Sequence, residues 1–183
     1  MRVSEFKERC KEFFKRDYKH EGNEWHAKQL VYCRHKVLNQ SYEEVSNKPS
    51  VLIGQLVHLA VDRVLMNSER VYTKEVGGYK IIGTPDVVMD YPVEVKFTSY
   101  APKIKPREHD VMQLKIYMWL LDCDVGYIWY LSPGAWVDFE VRGKMSDEDI
   151  VRLIEEPKYP MWSWECNHCS LYPCKYRLEE VLK

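Results

Sequence analysis

The stretch from Gly83 to Lys96 restricts the fold more tightly than any other part of the 183-residue chain. It runs Gly83-Thr84-Pro85-Asp86, then Val87 to Tyr91, then Pro92-Val93-Glu94-Val95-Lys96. Asp90-Tyr91-Pro92 is a turn signal between two β-rich runs. Glu94 and Lys96 are two apart on one predicted strand, so their side chains leave the same face while Val95 enters the core. Asp86 must reach that face from the preceding strand. A connection with an odd number of residues centred on Asp90 sets Asp86 opposite Glu94, and an even one turns it away. The sequence therefore predicts an odd connection, Met89 to Tyr91 or slightly longer.

Two carboxylates brought that close repel unless a cation lies between them. A divalent cation that activates water for phosphodiester cleavage needs such hard oxygen ligands. Lys96 beside them can orient or help deprotonate the water and offset phosphate charge. The spacing alone is weak, because many strands carry Glu-x-Lys by chance. Its neighbours strengthen it. His58, in a predicted helix, can complete a metal shell, and Gly54 one turn earlier is small enough to let that helix approach another element. His109, Gln113 and Tyr117 follow at four-residue spacing, one polar helix face beside the apolar Val111, Leu114, Met118 and Leu121. They can bind phosphates or bases and brace the strand.

The other elements follow from periodicity. Residues 4–19 form an amphipathic helix, broken at His20-Glu21-Gly22-Asn23. A second helix runs from Trp25 to Asn39 and carries Cys33. Ser50 caps a third, whose apolar face is Leu52, Leu56, Leu59 and Val64. Val71 to Phe97 holds three strands with a turn at Gly77-Gly78. Pro102 to Pro106 is a loop, and Arg107 to Leu121 a strong helix. Tyr127–Leu131 and Trp136–Val141 form a hairpin. Ser146 opens a helix to Glu156 with a capping box at Asp149. The order predicts an α/β domain, a mixed sheet flanked by helices.

Near the end, Cys166, Cys169 and Cys174 place three thiols in nine residues, short enough to wrap one metal centre. The fourth ligand has five candidates: Cys33, Cys10, Cys123, His168 and His35. Zinc and iron–sulfur are not separable by ligand count. Trp162, Trp164, Tyr172 and Pro173 can shield such a centre or simply belong to the core.

Bulk composition narrows the setting. With 27 basic and 28 acidic residues, net charge is −1, so any phosphate-binding surface is a local patch. No apolar run approaches the ~20 residues of a membrane span. Met1 to Cys10 has no apolar signal core, which argues for a cytoplasmic protein, and six cysteines there point to metal or redox chemistry.

These blocks resemble the CRISPR-associated, RecB-like exonuclease family that processes spacer DNA before integration. The resemblance covers Leu30 to Lys36, Gly54 to His58, Gly83 to Asp86, Glu94 to Lys96, His109 with Gln113 and Tyr117, and the terminal cysteines. It implies a restriction-endonuclease-like core and a Mg²⁺- or Mn²⁺-dependent deoxyribonuclease acting on DNA, with single-stranded ends preferred. It assigns metal ligation to His58, Asp86, Glu94 and the main-chain carbonyl of Val95 and catalysis to Lys96; Gln113 and Tyr117 match its Gln-x3-Tyr motif, and with His109 they stay the expected DNA contacts of the helix face. It selects Cys33 to join Cys166, Cys169 and Cys174 around an iron–sulfur cluster, [4Fe-4S] ahead of [2Fe-2S]. Residues 1–183 are then one nuclease domain, with 1–40 and 160–183 as its cluster-bound helical part. The implied partner is the spacer-integration complex. The departure from the family pattern is the charged segment Met1 to Trp25. Two other classes stay open: a DNA-end scaffold with little cleavage, and a structural zinc protein.

Overall fold

The computed structural model describes residues 2–15, 22–39, 48–66, 70–171 and 173–177. Its first half runs α1 (Val3–Phe13), β1 (Glu24–His26), α2 (Ala27–Val31), α3 (Arg34–Asn39) and α4 (Pro49–Val64). Four strands follow: β2 (Tyr72–Val76), β3 (Tyr79–Gly83), β4 (Val87–Val88) and β5 (Pro92–Phe97). Then come α5 (Glu108–Leu120), β6 (Val125–Leu131), β7 (Trp136–Arg142), α6 (Asp147–Glu155) and a 3₁₀ turn at Ser163–His168. The expected helix over residues 16–19, the break at His20-Glu21, Tyr172 and parts of segments 1–40 and 160–183 lie outside the described residues. Among the described residues, no helix is long and apolar enough to cross a membrane.

The architecture is α/β as expected, but the strands form two hydrogen-bonded sheets. One has the order β1-β3-β2 and the other β4-β5-β6-β7. Pro85, which has no amide hydrogen to give a ladder, lies between β3 and β4 where one sheet ends and the other begins. β2 and β3 turn through Gly77 and Gly78, both at positive φ (57° and 82°), the geometry a two-residue hairpin demands. β5 runs parallel to β6, and α5 makes the crossover between them.

α5 packs against both sheets. Ile116, Tyr117 and Trp119 join Trp25, Leu30 and Ile81 in one core cluster, while Leu114 and Met118 join Ile128, Tyr130 and Val141 in another. Val87, Val93 and Val95 form a third, with Val61 of α4 packed on it. Helix α5 is accordingly buried or half-buried from His109 to Leu120.

Four local expectations change. The stretch from Val71 to Phe97 holds four strands, β2 to β5, where three were expected. The helix foreseen over Trp25 to Asn39 is divided. Glu24, Trp25 and His26 pair in parallel with Lys80, Ile81 and Ile82. The amide of Cys33 donates to Glu165 Oε1 (2.9 Å), a bond that takes it out of the helical ladder between α2 and α3. The cap of α4 is Lys48, with Pro49 at the first helical position, where its fixed φ is already helical. Of the four apolar residues expected to face the core, Leu52 is buried and Val64 is 80% exposed. The β6–β7 hairpin and α6, with Ser146 accepting from Asp149 N, form as predicted.

Candidate active site

Val87 pairs with Val93 and Val88 with Pro92, so the connection is Met89 to Tyr91, odd and centred on Asp90. One step further in that register sets Asp86 opposite Glu94. Asp86 is tied from two sides: its Oδ2 accepts the Val95 amide (2.8 Å), and its Oδ1 lies 2.9 Å from His58 Nδ1 on α4. Gly83 allows the close approach behind it, because a Cβ there would collide with Leu120 and meet Tyr117 at 3.0 Å.

Glu94 and Lys96 leave the same face of β5, and the Lys96 ammonium sits 2.5 Å from Glu94 Oε1. It also donates to Gln113 Oε1 (3.0 Å), and Gln113 Nε2 donates to the Tyr117 hydroxyl (3.0 Å). Asp110 Oδ1 is 3.5 Å from the same ammonium, and its Oδ2 accepts the Tyr130 hydroxyl (2.6 Å). Glu94, Asp110, Gln113 and Tyr117 are all buried.

Burial pushes the Glu94 carboxyl up and the Asp86 charge adds to it; against Lys96 and Lys28 it still reaches about 7. Burial also pushes Asp86 up, but the hydrogen bond and charge of His58 outweigh it and hold that carboxyl below its ordinary value. His58 is raised in turn: burial opposes its charge, and Asp86 overcomes burial. Lys96 stands well above an ordinary lysine, because Glu94, Tyr32, Asp110 and Asp86 outweigh its burial. In this arrangement it is a held cation.

The donor set has the chemistry of a hard-cation site. Glu94 Oε2 is buried and has no hydrogen-bond partner, an oxygen whose desolvation nothing else offsets. As they stand, among the described residues, no group of three or more His, Cys, Asp or Glu side chains could hold a metal ion.

Cys33, Cys166, Cys169 and Cys174 line one small cavity of about 20 Å³, together with His35, Pro160 and Tyr176. Cys10 and Cys123 are free thiols elsewhere, the first buried in α1 and the second in the turn after α5. Burial pushes the Cys33 thiol up, against the amide of Lys36. Protein contacts hold the walls together. The buried Glu165 carboxylate accepts the amides of Cys33 and Trp162 (both 2.9 Å), and Trp162 Nε1 donates to Val31 O (2.8 Å). Arg34 donates to the carbonyls of Ile154 and Leu153 (2.6 and 2.7 Å).

Three placements differ from expectation. His109 reaches the Lys96 ammonium only through Asp110, whose Oδ1 is 3.4 Å from His109 Nε2; its ring sits 4.9 Å from Trp164 and 6.1 Å from both Trp162 and Tyr32. Those tryptophans therefore pack on His109 and do not line the cysteine cavity. Gly54 makes no close approach, since a Cβ there would meet nothing within 4 Å. Gln113 and Tyr117, expected also as DNA contacts, are shut inside the protein, which leaves bracing as their visible geometry. Asp110, Tyr130 and Glu165 were not singled out from sequence. Asp110 was within reach, because 110, 113 and 117 share one helix face; Tyr130 and Glu165 carry no local signal.

No protein-family model matches the chain. It is 31% identical over 173 residues, 81% of this chain and 85% of the relative, to the CRISPR-associated exonuclease Cas4 of Saccharolobus solfataricus. The crystal structure of SSO0001 superposes with a TM-score of 0.83 at 28% identity, covering 97% of this chain and 98% of that one. An alkaline exonuclease from Laribacter hongkongensis is a remote likeness, with a TM-score of 0.41 and 12% identity over 72% of this chain and 82% of the other.

Proposed function

The chain belongs to the family of the CRISPR-associated exonuclease Cas4, and from that premise we propose that it is a divalent-metal-dependent DNA exonuclease, trimming single-stranded ends of spacer DNA before integration. The carrying observation is the register that sets Asp86 against Glu94, with Glu94 Oε2 buried and unpaired. His58, Asp86, Glu94 and the Val95 carbonyl would hold Mg²⁺ or Mn²⁺. When bound, the ion supplies a Lewis acid for the phosphoryl oxygen and makes water a better nucleophile.

The chain's own groups do the rest. Lys96, kept as an ammonium, offsets charge on the phosphate and donates to the attacking water. Gln113 holds that ammonium in place through its own bond to Tyr117, and Asp110 does so through Tyr130. His58 fixes one oxygen of Asp86, and the Val95 amide fixes the other.

Cys33, Cys166, Cys169 and Cys174 would hold the iron–sulfur cluster, [4Fe-4S] ahead of [2Fe-2S]; their shared cavity supports this set. The cluster would fasten segments 1–40 and 160–183 into one domain with the nuclease core, in a protein of the cytoplasm that hands DNA to the integration complex.

The test is a time course on end-labelled single-stranded DNA with anaerobically purified protein, Mn²⁺, and Glu94→Ala alongside. Cleavage by the wild type that chelator blocks and the variant lacks supports the proposal. Equal cutting by both points to a contaminant, and none by either moves the function to DNA-end scaffolding.

A further inference from the structure

The connection between β5 and α5 begins two residues after Lys96 and ends where the helix that carries Gln113 starts, yet the active-site geometry uses none of its exposed side chains. From Thr98 to Arg107 it contains Lys103, Lys105 and Arg107 and no acidic residue, in a chain whose net charge is −1. Tyr100 is 86% exposed and Ile104 is 91% exposed. These two exposed side chains alternate with three cations, a chemistry that suits a ligand both apolar and anionic.

The segment is also held in place. Thr98 N donates to Leu131 O (3.0 Å) at the end of β6, and Arg107 Nη2 donates to Thr98 Oγ1 (2.8 Å), closing the base. Arg107 N donates to the Tyr130 hydroxyl (3.0 Å), the group that itself donates to Asp110 beside Lys96. Ala101 packs on the core cluster of Leu114 and Tyr130, and Pro102 and Pro106 restrict the backbone between. Tyr100 is four residues from Lys96, at most about 14 Å of extended chain.

We propose that residues 98–107 form a platform for the single-stranded DNA that leads into the active site, with a base stacked on Tyr100 and phosphates paired with Lys103 and Lys105. This rests on the nuclease reading and adds the strand's path. A single strand is the occupant because its bases are free to stack, and stacking on one aromatic ring tolerates any sequence. The two lysines act as cations on the backbone and read no base.

Binding of a dye-labelled oligothymidine, read by fluorescence anisotropy in chelator so that nothing is cut, tests the proposal on the full-length protein. Tyr100→Ala weakens binding by about tenfold, and Tyr100→Phe restores it. Lys103→Ala with Lys105→Ala flattens the plot of log affinity against log salt by about 1.4, whereas Tyr100→Ala leaves its slope alone. All the side chains changed are exposed, so matching circular dichroism spectra keep folding out of the comparison. Unchanged affinity in Tyr100→Ala together with an unchanged slope in the lysine pair overturns the platform. So does an equal loss on blunt duplex, whose bases are already paired and stacked on one another. A parallel Mn²⁺ cleavage assay separates the two claims: a cutting wild type with loop variants that bind normally sinks the platform alone, and a wild type that neither binds nor cuts sinks both.

Discussion

The carboxylate–lysine site is tied together by its own side chains, whereas the cysteine cavity is tied together by the groups around the sulfurs. His58–Asp86 is one run of polar contacts and Glu94–Lys96–Gln113–Tyr117 another, and the Val95 amide that Asp86 accepts lies on the strand between Glu94 and Lys96. The four thiols share a cavity, and the bonds that hold it run through Glu165, Trp162 and Arg34. Sequence distance explains the contrast. Asp86 and Val95 are 9 apart on adjacent strands, so the turn alone aligns them; Cys33 and Glu165 are 132 apart and need a clamp. Changes in the first region should therefore strike chemistry, and changes in the second should strike stability.

Glu94→Ala gives the largest effect, a fall in Mn²⁺-dependent cleavage of about a thousandfold, measured on end-labelled DNA. Glu94→Gln sharpens the point, since the metal-free protein should gain stability at high pH. The folded Glu94 carboxyl is raised from 4.5 to about 7. Its contribution is thus fully present below pH 4.5 and lost as pH rises through about 7. Thermal melts in chelator at pH 5 and pH 8 should show a loss in wild type that the glutamine variant lacks.

Cys33→Ser comes next. Iron content falls, and Tm drops on the order of 10 °C, by the coupling of metal binding to folding. A variant with full iron content and an unchanged melt would break the ligand set. Glu165→Ala removes the acceptor of two amides and should cost about 3 kcal/mol in urea denaturation. A cost near zero would mean that the cysteine cavity is not clamped by protein contacts. Gly54→Ala is the smallest change and has the opposite sign. A Cβ meets nothing there, so replacing a mid-helix glycine should stabilise by about 0.5–1 kcal/mol with cleavage intact.

Much of the site was legible because it rests on local rules. Strand alternation put Glu94 and Lys96 on one face, and the parity of the Met89–Tyr91 connection aligned Asp86. The β6–β7 hairpin and the Ser146 cap were readable for the same reason. What failed involved competition with distant groups. The backbone of Cys33 could have continued a helix, but Glu165 took its amide. Trp25 could have begun that helix, but β3 offered its edge. His109 shares a stripe with Gln113 by spacing, yet it meets the Lys96 cluster through Asp110 while its ring packs on the tail tryptophans.

The sequence by itself determined the register of the β4–β5 pair, the shared face of Glu94 and Lys96, and the kind of most main elements. Those follow from periods of two and 3.6 residues and from turn chemistry, which act over a few bonds. Only the tertiary structure decided that α5 lies between two sheets, that Gln113, Tyr117 and Asp110 are sealed inside around Lys96, and that Cys33 reaches the wall shared by the terminal cysteines. Burial and long-range hydrogen bonds choose among faces and partners that local propensity leaves nearly equal in energy, so they appear only when the whole chain is packed.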